Sequence, residues 1–332
     1  MHRPFVVVVG DVMLDRHVTC EVVGISPEDE TALKIRPIGT EMKAGGAANV
    51  ANNLVSLGAR VLLLSATGTD EEAGTLSQKI TRAPDTEVVF VKRNRRQTTM
   101  KTRYLTKRGR HIVRVDQERL QNAEPEEVDI FLKEIEKGPK VDMIVVSDYG
   151  KGIVTSQLMS RLRACEHRTC EWGVIVDPKG KDFSRYGDVD ILTPNMSEFH
   201  AAGGVHGART PAPGGALSRL VVVTAGARGC YGYWHKDGDG WFYDQRYSIP
   251  VRAREMGDPT GCGDSFLAGL AFKLAGGEDL VPALRFANAC GACAYDQAGV
   301  HAVIEEEALM EMQRHEDETD STFRSRGGER QV

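Results

Sequence analysis

Late in the chain, nine residues combine a flexible backbone with a carboxylate: Gly257-Asp258-Pro259-Thr260-Gly261-Cys262-Gly263-Asp264-Ser265, followed by an apolar run over 266–272. Gly261 and Gly263 flank one small residue, so the backbone can turn tightly. Asp264 then enters the first turn of an expected helix, where a carboxylate suits the positive end of the dipole. A glycine loop opening a helix aims unpaired N–H groups at one point, which suits phosphate. With Asp264 taking a proton from an alcohol and the loop steadying a transferring phosphoryl group, the stretch can perform phosphoryl transfer. The competing reading is a capped helix start after a Gly-rich turn, and the rest of the chain has to decide between them.

The elements that must position this stretch have the pattern of a doubly wound α/β protein, a mostly parallel sheet with helices on both faces. A β-branched run over 5–9 ends in Gly10-Asp11, and Asp15 follows shortly after. At the carboxyl end of a buried strand, at least one of these aspartates is expected to meet a ligand rather than only solvent. Gly45-Gly46 opens a second expected helix, whose first turn carries Asn49, a donor for a polyhydroxyl ligand; close helix–sheet packing is the plainer reading. Further strands are expected near 61–65, 141–146, 172–176, 190–192 and 220–223, most of them ending in polar or glycine-bearing turns. After one of these, Asn195 and Glu198 stand three apart at a helix start; they suit either a capping box or metal-bound waters, which Mg²⁺ prefers to keep.

Two segments break the βα rhythm. Residues 16–42 and 86–116 alternate or carry β-formers and are expected to pair as a small antiparallel β-lid. The second is strongly basic. Most of its cations suit a solvated face, but Lys101 and Arg103 share one side of a strand and fit a substrate phosphate. Nucleic acid is a rival for such a stretch, yet only Phe90 and Tyr104 interleave with the cations, so no nucleic-acid partner is expected. Residues 201–218 read as loop with broken helix, and 230–250 as a hairpin. The main domain is placed at 1–313 and a polar, disordered tail at 314–332.

Composition narrows the class further. The 332 residues are 27% charged and 41% hydrophobic, with net charge −5, so a large core is available and nothing global favours nucleic acid or an anionic membrane. Seven cysteines with scattered spacing suit a reducing cytoplasm. Cys290-Gly-Ala-Cys293 lies in a small-residue helical run and reads as close packing rather than a metal site. There is no signal-peptide pattern and no apolar run long enough to span a membrane.

Taken together, Gly-Gly-Ala-Ala-Asn (45–49) and Asp-Pro-Thr-Gly-Cys-Gly-Asp (258–264) resemble the two signatures of the ribokinase-like, or pfkB, sugar kinases, in the right order and spacing. The resemblance covers about residues 5–305. Val-Gly-Asp-Val-Met-Leu-Asp (9–15), Ser-Asp-Tyr-Gly-Lys-Gly (147–152), Asp-Pro-Lys-Gly (177–180) and Thr-Pro-Asn-Met-Ser-Glu (193–198) are similar to the branch acting on heptose 7-phosphate. The resemblance implies ATP and Mg²⁺ as cofactors and phosphorylation of the anomeric hydroxyl of D-glycero-D-manno-heptose 7-phosphate to the 1,7-bisphosphate. It implies Asp264 as base and the N–H groups of Gly261, Cys262 and Gly263 as anion hole. Asn195, Met196, Ser197, Glu198, Thr224, Gly226, Gly229 and Asn288 would serve the nucleotide, with Asn195 and Glu198 on the metal through water. Asp11, Asp15, Gly45, Gly46, Asn49 and Asp148 would hold sugar hydroxyls, and Lys101, Arg103 and Arg114 the 7-phosphate. A homodimer through the β-lid is implied as well.

The sequence departs from the family pattern in four places, one of them the Gly/Pro-rich stretch 201–218, which stands where the family has a helix. Cys262 stands for the usual Ala, Asp29-Glu-Thr-Ala32 replaces an apolar lid segment, and no His-x-Gly-His of a nucleotidyltransferase appears, so a separate protein is expected for adenylylation. The alternatives are a kinase for another sugar phosphate or a nucleoside, or a non-catalytic sensor on the same fold. A dehydrogenase is disfavoured because the first strand ends without GxGxxG.

Overall fold

The computed structural model describes residues 3–80, 86–169, 172–205, 215, 218–236, 240–250, 257–297 and 302–315. At the centre lies β1 (Phe5–Gly10), buried along its whole length. It pairs in parallel with β4 (Arg60–Thr67) on one side and β8 (Met143–Ser147) on the other. The strand is a continuous apolar run because both of its faces are covered. Val6 and Val8 point into one core, with residues of α1 (Ala47–Ser56), α6 (Cys262–Ala275) and α7 (Leu280–Asp296). Val7 and Val9 point into the other, with α3 (Pro125–Lys137) and α4 (Ser156–Arg163).

Beyond β8 the sheet continues in parallel through β9 (Val174–Asp177), β10 (Ile191–Leu192) and β11 (Leu220–Thr224). It ends in the antiparallel pair β12 (Cys230–Lys236) and β13 (Gly240–Ile249), so the expected hairpin extends the main sheet; its turn, 237–239, lies outside the described residues. Two shorter helices, α2 (Glu71–Lys79) and α5 (Met196–Ala201), add Leu76 and Phe199 to the two cores.

The lid is a separate four-stranded sheet ordered β3 (Leu33–Gly46), β2 (Val12–Ile25), β6 (Thr99–Thr106), β7 (His111–Gln117). It consists of two antiparallel hairpins, as expected, joined by a parallel pairing of β2 with β6. Its boundaries differ from the expectation. The first excursion runs from Val12 to Gly46, and β5 (Thr86–Lys92) belongs to the edge of the main sheet, parallel to β4. An edge strand is only half covered, so its residues alternate in the way a lid strand does, and the pattern alone cannot separate the two. The departing segment 29–32 is exposed at the tip of the β2–β3 hairpin, where the Asp29 carboxylate accepts from the Thr31 N–H and hydroxyl.

Helix packing explains the small-residue run. Gly269 of α6 lies against Cys290 and Ala287 of α7, and a Cβ there would press on the Cys290 sulfur. The described cysteines are all free thiols, and Cys290 is fully buried. Residues 305–315 are helical, including the first two of the expected tail; the remainder of the tail and most of 201–218 lie outside the described residues. Among the described residues, no helix is long and apolar enough to cross a membrane.

Candidate active site

The nine-residue stretch folds as its composition dictates. The Asp258 carboxylate accepts from the Thr260 N–H at 2.9 Å, closing a short turn, and the Asp258 N–H bonds to the Tyr295 carbonyl at 3.0 Å. Gly261 is the N-cap of α6 with φ +84°, a left-handed conformation that favours glycine. This turn delivers Asp264 into the first helical turn, buried to 4% exposure. Of the three expected anion-hole donors, the Cys262 N–H bonds to the Pro259 carbonyl at 3.3 Å. Gly261 and Gly263 line the cavity beside Asp264.

Each oxygen of Asp264 takes one hydrogen bond. Asn49 Nδ2 donates to Oδ2 at 2.8 Å, and the Tyr149 hydroxyl donates to Oδ1 at 2.7 Å. Burial pushes the Asp264 carboxyl up to about 6, while the two donors hold it down. Asp264 is therefore a carboxylate poised near neutrality, as a general base requires.

Two adjoining cavities meet at this point. One, of about 470 Å³, is lined by Thr224, Gly226, Gly229, Cys262, Asn288 and Tyr295. The other, of about 230 Å³, is lined by Asp264, Tyr149, Asp177, Lys179 and Glu198. Asn195, Thr224, Pro259, Gly263 and Phe266 border both. The walls of the larger are mostly apolar, and the smaller is mostly polar and contains Asp264. Gly229 (φ +82°) is required because a Cβ there would collide with the Ile249 carbonyl, the same oxygen that accepts from Asn288 Nδ2 at 2.8 Å.

Asn195 and Glu198 form the capping box of α5: Asn195 Oδ1 accepts from the Glu198 N–H at 2.9 Å, and Glu198 Oε2 from the Asn195 N–H at 3.1 Å. Glu198 Oε1 also meets Lys179 Nζ at 2.6 Å. Capping fixes both side chains at the edge of the cleft, so the two roles weighed from the sequence are compatible. Their oxygens are hard donors that fit Mg²⁺ keeping most of its waters. Among the described residues there is no group of three or more His, Cys, Asp or Glu able to enclose a metal by itself. Met196 packs against a core and Ser197 is exposed in the same first turn.

The residues expected on the sugar separate into two groups. Asn49 bonds to Asp264, Asp15 and Lys101 face it, and Arg103 joins this group through Asp15. Asp15 is paired with Arg103 across β2 and β6, and Lys101 Nζ lies 5.1 Å from the Tyr149 ring centre. Burial lowers the Lys101 pKa against the opposing pull of Asp15. The second group shapes backbone. Asp11 accepts from the N–H groups of Tyr149, Lys151 and Ile153 at 2.8, 2.9 and 3.0 Å. Asp148 accepts from the Gly150 N–H at 2.7 Å and the Tyr186 hydroxyl at 2.8 Å, and meets Arg185 at 2.7 Å. Its carboxyl is raised to about 6 by burial, with Asp11 adding to the effect and Arg185 opposing it. Gly45 leaves room for the Asp15 carboxylate, and Gly46 (φ +61°) lies against the Asp11 carbonyl, so this glycine pair serves close packing. Arg114 stands opposite Arg103 in register but is exposed and paired with Asp116, so it does not join the buried cations.

Three residues of the site escaped the sequence reading. Tyr149 sat inside a quoted motif without a role. Asp177, at the end of β9, lines the smaller cavity, and burial together with Asp264 raises its pKa well above the usual carboxylate range. His17 shares the period-two face of Asp15; it is buried, and burial followed by Arg103 lowers its pKa. Asp177 opened the quoted Asp-Pro-Lys-Gly motif at a strand end without a role, and for His17 alternation was the signal.

The chain is 36% identical over 318 residues to the Bifunctional protein HldE of Hyphomonas neptunium, covering 91% of this chain and 62% of that protein. It is 35% identical over 321 residues to the Bifunctional protein HldE of Pseudomonas aeruginosa strain PAO1, covering 94% of this chain and 64% of that one. The chain thus spans somewhat under two thirds of the length of these relatives. The fold is that of phosphofructokinase-2 from Escherichia coli in complex with potassium, with TM-score 0.70 at 18% identity over 95% of this chain and 99% of that one. It is also that of Arabidopsis thaliana ribokinase complexed with ribose and ATP, with TM-score 0.64 at 18% identity over 94% and 99% of the two chains. Residues 3–307 match the model of the pfkB family of carbohydrate kinases, and the chain belongs to that family, as a phosphotransferase acting on a sugar hydroxyl.

Proposed function

We propose that this kinase transfers the γ-phosphoryl group of ATP to the anomeric hydroxyl of D-glycero-D-manno-heptose 7-phosphate, giving the 1,7-bisphosphate. The observation that carries the transfer is the placement of Asp264: buried, doubly hydrogen-bonded, and next to a glycine turn where the two cavities meet. Asp264 takes the hydroxyl proton as the new O–P bond forms and ADP leaves. The N–H groups of the helix start stabilise charge on the transferring group. Asn195 and Glu198 would hold Mg²⁺ through water, and the ion would supply neutralisation of phosphate charge. Thr224, Gly226, Gly229 and Asn288 line the nucleotide.

The choice of a phosphorylated acceptor rests on the lid. Lys101 and Arg103 are half-buried or nearly buried on the strand that closes over the base, in a chain whose net charge is negative. A neutral nucleoside has no use for two such cations. The lid also exposes Val22, Val23, Ile25, Leu33, Ile38, Val113 and Val115, which supports a homodimer formed through it.

The test is Mg²⁺-dependent ATP consumption against heptose 7-phosphate, sedoheptulose 7-phosphate, fructose 6-phosphate, ribose and adenosine. Turnover confined to heptose 7-phosphate is expected. Turnover with another acceptor keeps the base and discards the substrate; ATP binding without turnover on any acceptor turns the reading toward a sensor.

A further inference from the structure

Asp264 is held by two donors, and only one of them, Asn49, comes from the helix that packs beside α6. The other is the phenol of Tyr149, on the loop that leaves β8. We propose that Tyr149 is a positioning residue for phosphoryl transfer: its hydroxyl fixes the orientation of the Asp264 carboxylate, and its ring, beneath Lys101, ties that orientation to the seating of the lid. The inference rests on the reading of Asp264 as base.

The loop carrying Tyr149 is held by three N–H bonds to Asp11, and Gly150 takes a left-handed φ of +68°. Tyr149 is therefore aimed by a buried carboxylate at the end of the central strand. Its hydroxyl reaches Oδ1 of Asp264 while Asn49 reaches Oδ2. One donor on each oxygen, from separate elements, removes the rotation of the carboxylate about its own bond. A base off its line to the acceptor by about 1 Å loses on the order of a hundredfold in rate.

The lid enters through two contacts to the same loop. Lys101 of β6 lies over the Tyr149 ring, a cation–π arrangement. Lys151 Nζ meets the Glu118 carboxylate at 2.6 Å, just beyond β7. The charged groups facing Asp264 are Asp15 on β2, Lys101 on β6 and Asp177 on β9. Burial and the Asp264 charge raise the Tyr149 pKa well above the ordinary value, so the phenol keeps its proton and donates throughout the working range. The proton lost by the acceptor goes to Asp264, not to Tyr149.

Two variants separate the hydroxyl from the ring. Tyr149→Phe keeps the ring under Lys101, and Tyr149→Leu removes both features. Each is assayed with Mg·ATP and heptose 7-phosphate, or with whichever panel acceptor turns over, across pH 5–9. For Tyr149→Phe we expect kcat to fall roughly ten- to a hundredfold, with KM for ATP and the thermal midpoint unchanged. The acid limb of the rate profile should move up by about one pH unit, because the carboxylate loses a donor to its ionised form. Tyr149→Leu should in addition raise KM for the acceptor. A wild-type limb position in Tyr149→Phe overturns the positioning role, as does a rate loss explained by a lowered thermal midpoint. Equal acceptor KM in the two variants overturns the link to the lid. Asp264→Asn run in parallel separates the two readings. If it turns over, the base assignment fails; if it is inactive while Tyr149→Phe behaves as wild type, the inference alone fails.

Discussion

Asn49 Nδ2 donates to Asp264 Oδ2 at 2.8 Å, joining residues 215 positions apart. Asn49 is itself held by the next turn of its helix. Asn53 Nδ2 donates to the Asn49 carbonyl and to Asn49 Oδ1, at 2.9 and 3.1 Å. Asn53 Oδ1 in turn accepts from the Ser265 hydroxyl at 3.1 Å and from the Val303 N–H at 3.0 Å. Asp264 thus stands at the end of a buried amide chain that binds α1 to α6. Such a network is rigid because each member is satisfied.

This chain gives the pH dependence a sign. As the proposed base, Asp264 must be ionised, so kcat/KM should fall below an acid limb at about 6, the value to which burial raises it. Asn49→Leu removes a donor that lowers that value. The limb should move to higher pH and the rate at pH 7 should fall, as read from pH–rate profiles of the two proteins side by side.

Asp264→Asn should cost about 10²–10⁴-fold in turnover while Mg·ATP binding, measured by calorimetry, persists. Its stability carries a second sign. The folded-state pKa of Asp264 lies above the unfolded value of 3.8, at about 6. The folded state therefore binds this proton more tightly, and its stability declines as pH rises through that window. Above about 6 the burial cost of the charge is fully present. The neutral variant escapes it, so its thermal midpoint at pH 8 should equal or exceed that of the wild type.

The capping role of Glu198 and its proposed part in holding Mg²⁺ can be separated by substitution. Glu198→Ala loses the capping box and should cost about 1 kcal/mol of stability, with a raised KM for Mg·ATP. Glu198→Gln retains an oxygen for the Asn195 N–H. It should keep the wild-type denaturation midpoint yet require more Mg²⁺ for half-maximal rate. Equal Mg²⁺ requirements in Glu198→Gln and wild type would remove the ion from this side chain.

The parts of the fold legible in the sequence are those set by local rules. The valines of β1 form one apolar run because a strand covered on both faces needs no alternation. The edge strand β5 was misplaced into the lid for the related reason: half coverage and lid membership leave the same imprint on seven residues. The pairing of β2 with β6, which makes the lid one sheet, joins strands about 86 positions apart, as Asp15 and Lys101 do. No local pattern encodes that.

The same division runs through the site. The sequence by itself determined the glycine turn, the helix start and Asp264 at its positive end, since backbone freedom, capping and the dipole act over a few residues. It also determined that Asn195 and Glu198 face each other, because three residues make most of one helical turn. Only the tertiary structure decided that Asp11 and Asp148 hold the Tyr149 loop, that Arg103 reaches Asp15 while Arg114 remains exposed, and that a tyrosine 115 positions away donates to Asp264. Those outcomes follow from strand order and from how the lid sits on the sheet. Buried polar groups take whichever partner the packing brings within 3 Å, and the chain does not record that distance residue by residue.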